Sequence, residues 1–235
     1  MIPLRDVIPS RTTPGVTLGL IGCNVLVFLF HSSLSERGQE MFLFAFGLVP
    51  SHFSFVNMFT SLFVHGGLAH LAGNMLFLWI FGDNVEDRFG HLRFLSFYLV
   101  CGSAAAIAQT ALNPDSTIPM VGASGAIAGV MGAYLVLYPH SRVLMLFPFP
   151  PILFELPAVL FLAMWFFVQF LNGVGQLPVF QQDQISGGVA FWAHVIGFVT
   201  GLVLVVFLRR PERTTVDWWD TVESTGDQEN RRKTF

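Results

Sequence analysis

Charged residues are absent from six long windows of this sequence, and this feature limits the chain to folds that can lie in lipid. Each window is longer than the roughly 20 residues that an α-helix needs to cross about 30 Å of hydrocarbon. Only α-helices and closed β-barrels satisfy their own backbone hydrogen bonds in lipid, and long non-alternating apolar runs favour helices. The windows are residues 12–35, 41–82, 94–114, 116–141, 156–182 and 184–208.

The composition agrees with a membrane location. Of the 235 residues, 53% are apolar and 11% are charged, whereas a typical soluble domain carries about 25% charge. A soluble globular enzyme is therefore disfavoured, and a net charge of −3 with a single lysine gives no basic surface for nucleic acid. Cys23 and Cys101 both lie in apolar stretches, where we interpret them as packing residues.

The longest window, residues 41–82, has room for two spans or for one span with a preceding loop. Gly47, Pro50 and Ser51 interrupt its first half. We therefore interpret that half as an interfacial loop containing short helices, and we predict a single span behind it.

We predict an all-α, polytopic membrane protein with a bundle of six transmembrane helices. Residues 1–14 form an N-terminal tail, residues 15–208 the membrane domain, and residues 209–235 a polar C-terminal tail. The predicted spans are residues 15–32, 62–82, 93–112, 121–139, 151–172 and 188–208.

The positions of the cations predict the orientation. With six spans and a cytoplasmic N-terminus, only Arg37 lies outside. The eleven remaining cations lie inside, as the positive-inside rule requires, so both termini are predicted to be cytoplasmic. These cations are Arg5, Arg11, Arg88, Arg93, Arg142, Arg209, Arg210, Arg213, Arg231, Arg232 and Lys233. We expect the membrane to be that of a bacterial or archaeal cell.

Polar residues inside predicted spans are the candidate functional residues, because lipid makes them costly. The second span contains His70 and Asn74, one helical turn apart; the fourth begins near Ser124, and the sixth contains His194. Counting about 1.5 Å per residue from the cytoplasmic ends places His70 roughly 18 Å up, and Ser124 and His194 roughly 22 Å up. The three spans therefore place these polar residues in neighbouring layers.

Small residues indicate which helix faces meet. The fourth span has glycines at 122, 125, 129 and 132, and the sixth has Gly197 and Gly201. Such stripes let helix backbones approach closely in lipid. If the two stripes pack together, Ser124 and His194 share a cleft.

A serine beside a histidine is the basic unit of nucleophilic catalysis, since a neutral imidazole can take the hydroxyl proton. Asn74, His70 and the backbone N–H of Ser124 could stabilise the resulting oxyanion. The only carboxylate within a predicted span is Glu155, near the cytoplasmic end of the fifth. If the site is catalytic, it is therefore a Ser–His dyad.

Three other interpretations are open for these residues. Ser124 and His194 are each also compatible with a purely structural role, because a serine in an apolar helix often bonds the preceding turn. His65, His70 and His194 could form a three-histidine zinc site, although their spacing does not require one. A solute transporter is a further possibility, but clear inverted repeats are lacking.

The polar motifs together resemble the rhomboid intramembrane serine proteases. The resemblance rests on His70-x-x-x-Asn74, Gly122-Ala-Ser124-Gly125, Ala193-His194-x-x-Gly197-x-x-x-Gly201 and Val85-Glu86-x-Arg88-x-Gly90. It covers residues 15–208 and keeps the order and spacing of all four motifs.

The resemblance implies an enzyme that cleaves single-pass transmembrane segments of other proteins in the lipid bilayer. It implies Ser124 as nucleophile, His194 as general base, and Asn74, His70 and the Ser124 N–H as oxyanion donors, without metal or cofactor. Residues 33–61 would be a membrane-dipping first loop, the fifth span a lateral gate, and residues 173–187 a cap. We expect Phe77, Trp165 and Phe166 to form the gate.

The sequence departs from the family pattern at two places. Val56-Asn57 stand where many relatives carry Trp-Arg, so the first loop must be anchored differently. Ala128 stands where relatives often carry a tyrosine that stacks on the histidine, so His194 must be oriented by other groups, for example Trp192. The alternative within the family is a catalytically silent protein that binds and escorts transmembrane clients.

Overall fold

The computed structural model describes residues 1–175 and 190–209, and most of these residues are helical. Two single 3₁₀ turns, Pro50–His52 and Ser61–Phe63, flank the short helix Phe55–Thr60. The α-helices are α1 (Gly15–Ser32), α2 (Glu36–Phe46), α3 (Phe55–Thr60), α4 (Leu68–Phe89), α5 (His91–Leu112), α6 (Ser124–Leu137), α7 (Ala158–Gly175) and α8 (Phe191–Leu208).

Helix length and composition identify a multi-pass membrane protein. Helices α1, α5, α7 and α8 are each long and apolar enough to cross a bilayer. Helix α4 is long and apolar enough when it is taken together with the preceding segment Phe55–Phe63, from which it is bent by 87°. Helix α6 has 14 residues, which is about 21 Å at 1.5 Å per residue. It is therefore shorter than the hydrocarbon core, and it begins at Ser124, three residues after the predicted start of the fourth span.

A small antiparallel sheet accompanies the helices. Its strands are β1 (Ile2–Asp6), β2 (Arg142–Pro148) and β3 (Pro151–Pro157), in the order β1-β2-β3. The all-α prediction did not include this sheet, and the expected N-terminal tail contributes its first strand.

The predicted fifth span, residues 151–172, is wrong in its first part. Residues 151–157 form β3, and α7 begins only at Ala158. The absence of charge misled the prediction, although Pro150, Pro151 and Pro157 oppose a helix there because proline lacks the N–H that a helix interior requires. Glu155 consequently lies on a strand, where it forms an exposed ion pair with Arg142 at 3.4 Å.

Side chains from two helices fix the sheet to one end of the bundle. Asp6 of β1 accepts hydrogen bonds from Tyr134 Oη of α6 at 2.6 Å and from Asn84 Nδ2 of α4 at 2.8 Å. Burial raises the pKa of Asp6, while the hydrogen bond from Tyr134 opposes that shift. Because Tyr134 and Asn84 lie near the carboxyl ends of their helices, α4 and α6 run in the same direction, toward the sheet.

Glu86 joins the same end of α4 to the start of α1. Its buried carboxylate accepts hydrogen bonds from the backbone N–H groups of Val16 at 2.9 Å and Thr17 at 2.8 Å, and from the Thr17 hydroxyl at 2.7 Å. First-turn N–H groups have no acceptor within their own helix, so this carboxylate satisfies them. Gly90 then ends α4 with φ of +78°, a conformation that favours glycine.

Asn57 anchors the first loop through hydrogen bonds from its side chain. Its Nδ2 donates to the carbonyl oxygens of Ala45 at 3.1 Å and Gly47 at 2.9 Å. Thr60 Oγ1 donates to Phe46 O at 2.7 Å. Helix α3 is thereby tied to the carboxyl end of α2 by side-chain to backbone hydrogen bonds.

Helices α6 and α8 pack backbone against backbone along the two glycine stripes. A Cβ atom added at Gly197 would lie 2.1 Å from Gly125 O, and one added at Gly201 would lie 2.0 Å from Gly129 O. Ala128 is fully buried in the same interface. Only glycine permits this approach.

We expect Gly201→Ala to separate α6 from α8 and to lower the stability of the protein. Overpacking typically costs roughly 1–3 kcal/mol, and a clash with backbone belongs at the upper end of that range. Gly22→Ala on α1 is the matched control, because a Cβ there meets no atom within 4 Å. Thermal unfolding in detergent measures both variants, and an unchanged midpoint for Gly201→Ala would contradict this packing.

Candidate active site

Ser124 and His194 form a hydrogen bond at the end of the bundle opposite the sheet. Ser124 is the first residue of α6, and His194 lies in the first turn of α8. Ser124 Oγ and His194 Nε2 are 2.8 Å apart. The two residues that the sequence placed at one depth are therefore brought into direct contact, with the geometry that general-base activation requires.

Helix α7 adds a third polar group to the hydrogen-bonded pair of Ser124 and His194. Gln169 Oε1 lies 2.7 Å from His194 Nδ1. Gln169 was not among the predicted site residues, because only a carboxylate was considered as the partner of the histidine. The available signal was a glutamine in an otherwise apolar stretch of a predicted span, which lipid makes costly.

Aromatic rings surround His194 from two helices. The Trp165 ring of α7 is 5.9 Å from the His194 ring, and the Phe191 ring of α8 is 6.5 Å away. Trp192, which the sequence suggested as the orienting group, instead donates from Nε1 to Gly173 O at 2.9 Å. Gln169 and Trp165 are thus the neighbours of the imidazole on α7.

His70 and Asn74 lie next to the strand-like segment that leads into Ser124. Gly122 has φ of +122°, and a Cβ atom there would be 2.7 Å from His70 Cε1 and 3.6 Å from Asn74 Nδ2. Gly122 N–H donates to Ser61 O at 2.9 Å. The backbone before Ser124 is therefore held against the two α4 side chains, and a side chain at Gly122 would displace His70.

His65 contacts both of these α4 residues. Asn74 Nδ2 and His65 Nε2 are 2.9 Å apart, and the His65 and His70 rings are 5.1 Å apart with a T-shaped orientation. Since an amide nitrogen only donates, His65 Nε2 accepts this hydrogen bond and fixes the side-chain amide of Asn74. His65 was not among the residues predicted for the dyad site.

The amino end of α6 supplies further hydrogen-bond donors. Ile127 N–H makes the bond to Ala123 O at 3.0 Å that opens the helix. The N–H groups of Ser124, Gly125 and Ala126 precede it and have no acceptor within the helix. Together with the helix dipole they favour negative charge beside Ser124 Oγ.

The three expected gate residues take part in two different sets of aromatic ring contacts. Phe77 of α4 stacks on Phe161 of α7 with ring centroids 6.2 Å apart. Trp165 and Phe166 instead lie against Phe198 of α8, at 6.1 Å and 5.0 Å. Phe161 is thus the described α7 ring that faces Phe77, and the sequence analysis did not single it out.

Two further expectations concern a zinc site and the segments that follow α7 and α8. In the described part, no group of three or more His, Cys, Asp and Glu side chains could hold a metal ion, so His65, His70 and His194 do not form the considered zinc cluster there. Of the expected cap, residues 173–187, positions 176–187 lie outside the described residues, as do all residues of the C-terminal tail after Arg209.

Comparison with known proteins identifies the family. A model of the rhomboid domain matches residues 52–211. Rhomboid protease GluP of Bacillus subtilis is 34% identical over 133 residues, which are 55% of this chain and 26% of that protein. Mitochondrial Rhomboid protein 1 of Saccharomyces cerevisiae is 35% identical over 147 residues, which are 60% of this chain and 41% of that protein.

A third relative matches over a longer segment. Chloroplastic Rhomboid-like protein 11 of Arabidopsis thaliana is 27% identical over 214 residues, which are 89% of this chain and 70% of that protein. The chain covers less than half the length of GluP and of the yeast protein. Because the family model matches more than half of the chain and includes Ser124 and His194, this protein belongs to the rhomboid family.

Proposed function

We propose that this protein is an intramembrane serine endopeptidase that hydrolyses peptide bonds in or near the outer end of transmembrane segments of other membrane proteins. The observation that carries the proposal is the 2.8 Å hydrogen bond between Ser124 Oγ and His194 Nε2. Relatives named as proteases, GluP and AarA of Providencia stuartii, are consistent with it.

In the proposed reaction, His194 Nε2 takes the proton of Ser124 Oγ as the oxygen attacks the substrate carbonyl carbon. The tetrahedral intermediate then breaks its C–N bond, and His194 returns the proton to the leaving amine. Water, deprotonated by the same imidazole, attacks the acyl group on Ser124. The carboxylic acid leaves, and Ser124 regains its proton.

The oxyanion of each tetrahedral intermediate needs hydrogen-bond donors beside Ser124. We assign this role to the Ser124 N–H, the Asn74 side chain and His70. Two observations support this assignment. The N–H groups in the first turn of α6 have no acceptor within the helix, and His70 and Asn74 lie against Gly122. The second N–H of the Asn74 amide is available to the oxyanion, because its other N–H faces His65.

Substrate helices are proposed to enter from lipid between α4 and α7. Phe77 and Phe161 form the ring contact between these helices, while Trp165 and Phe166 line the α8 side of α7. The carbonyl groups of a helical substrate are hydrogen-bonded and shielded, so its end must unwind before it reaches Ser124. Gly, Ala or Pro residues near the outer end should therefore favour cleavage of single-pass substrates.

The first loop, residues 33–61, is proposed to dip into the outer leaflet. Its described helices expose large apolar side chains, among them Phe44, Phe55, Val56 and Phe59. Exposed apolar side chains of this size are suited to contact with lipid. Asn57 holds the loop together from within.

A catalytically silent rhomboid protein that escorts transmembrane clients is the second candidate. It would bind single-pass helices in the same seam and leave them intact. The hydrogen-bonded Ser124–His194 pair favours the protease, because a silent protein gains nothing from a polar pair that lipid makes costly. The cleavage experiment below separates the two.

We expect Ser124→Ala and His194→Ala each to abolish cleavage of a reconstituted single-pass substrate, because each removes a reacting group. In the same assay, Asn74→Ala should reduce turnover by a factor of order 10² if it is one of several oxyanion donors. Gel analysis of substrate in proteoliposomes measures all three variants.

The matched controls are Ser96→Ala and His52→Ala, whose side chains are exposed and far from the dyad in sequence. Both should cleave at the wild-type rate. Undiminished cleavage by Ser124→Ala or His194→Ala would refute the dyad, and an intact substrate with wild-type protein would support the silent alternative.

The proposed location is a bacterial or archaeal cell membrane, with both termini in the cytoplasm. The distribution of arginine supports this orientation.

In a variant lacking the native cysteines, we expect Arg37→Cys to react with a membrane-impermeant maleimide on intact cells. Arg93→Cys should react only after lysis. Both positions are exposed in the structure, so access depends on the side of the membrane. The opposite labelling pattern would reverse the orientation.

A further inference from the structure

We propose that Gln169 is the positioning residue that sets the tautomer and the orientation of His194, so that the imidazole can act as a base only when α7 lies against α8. This inference rests on the proposed function. It concerns a residue on the expected gate helix that lies outside the Ser–His dyad and outside the oxyanion donors.

The hydrogen-bond roles follow from the atoms that face each other. Gln169 Oε1 is 2.7 Å from His194 Nδ1, and a carbonyl oxygen can only accept. The proton of the neutral imidazole is therefore on Nδ1. His194 Nε2 then carries the lone pair that faces Ser124 Oγ at 2.8 Å, which is the tautomer that a general base requires.

Gln169 also supplies an orienting contact that the described part of α6 does not. The described ring contacts of His194 come from α7 and α8, and Ala128, one turn after Ser124 on α6, is fully buried. The described neighbours of the imidazole on α7 are the Gln169 side chain and the Trp165 ring. Without the amide, the ring could rotate or adopt the tautomer in which Nε2 carries the proton and cannot accept from Ser124.

The position of Gln169 on α7 links the base to the helix that lines the substrate seam. Helix α7 contacts α8 through Phe166 and Phe198, and through the hydrogen bond from Trp192 Nε1 to Gly173 O. If α7 moves away from α8, the 2.7 Å bond to His194 is lost with the other contacts. Productive proton transfer therefore requires α7 to return to α8 once substrate is in place.

Gln169→Met tests this role, because methionine keeps the length of the side chain and removes the acceptor. We expect kcat to fall about 10- to 100-fold, the cost of losing one partly buried hydrogen bond to a group that becomes charged, with KM little changed. Gln169→Glu keeps an acceptor at the same reach, and it should retain at least ten times the kcat of Gln169→Met.

Asn172→Leu is the matched control on the same helix. Its exposed amide bonds only to Val168 O of its own helix, at 2.7 Å among the described contacts, so its loss should leave kcat within about twofold of wild type. A kcat for Gln169→Met within twofold of wild type would overturn the inference. Equal losses in Gln169→Met and Gln169→Glu, or a change confined to KM, would also overturn it.

A spectroscopic measurement separates this inference from the proposed function. Nitrogen-15 NMR of histidine-labelled protein, with His194 assigned by its loss in His194→Ala, reports which ring nitrogen carries the proton. We expect the Nδ1–H form in wild type and a gain of the Nε2–H form in Gln169→Met, whether or not any substrate is cleaved. A wild-type His194 protonated on Nε2 would contradict the proposal even if the enzyme is active.

Discussion

Helices α6 and α8 meet through their backbones, and the site depends on that contact. Gly197 lies against Gly125 O, and Gly201 lies against Gly129 O, so α8 cannot carry a side chain at either of these points. The approach fixes the relative height and rotation of the two helices. Since Ser124 begins α6 and His194 lies in the first turn of α8, the same contact brings a hydroxyl and an imidazole to 2.8 Å.

The polar groups of the site form neutral hydrogen bonds, which suits a position inside an apolar bundle. Gln169, His194 and Ser124 are linked in one chain of two hydrogen bonds. A carboxylate in place of the half-buried amide would have to be partly desolvated, which costs more than placing an amide there with a partner. A glutamine can hold the histidine tautomer without that penalty, although it offers the imidazolium less electrostatic stabilisation.

Much of the fold and the centre of the site could be predicted, because helices that lie in lipid are long, apolar and nearly free of charge. Charge-free windows identified most of the apolar helices, and the spacing of small residues indicated that the fourth and sixth spans meet. Ser124 and His194 were recognisable since both are polar residues in apolar segments. The observed geometry agrees with their expected proximity, and their catalytic roles remain the proposal made above.

Other features could not be found by the same reasoning. The sheet was missed because charge counting does not distinguish an apolar hairpin from the start of a helix, although four prolines between 148 and 157 gave a warning. Gln169 was missed because only carboxylates were sought, and His65 because its contact with Asn74 depends on how the first loop folds back. The Asn57 anchor likewise depends on a tertiary contact between two short helices.

The central claim is that His194 activates Ser124 as a nucleophile, and covalent labelling tests it most directly. Folded protein in detergent is treated with a fluorophosphonate probe, and mass spectrometry locates the adduct. The account predicts one adduct, on Ser124, that is absent in Ser124→Ala and formed far more slowly in His194→Ala. An adduct on another serine, or labelling of Ser124 at an unchanged rate without His194, would contradict the account.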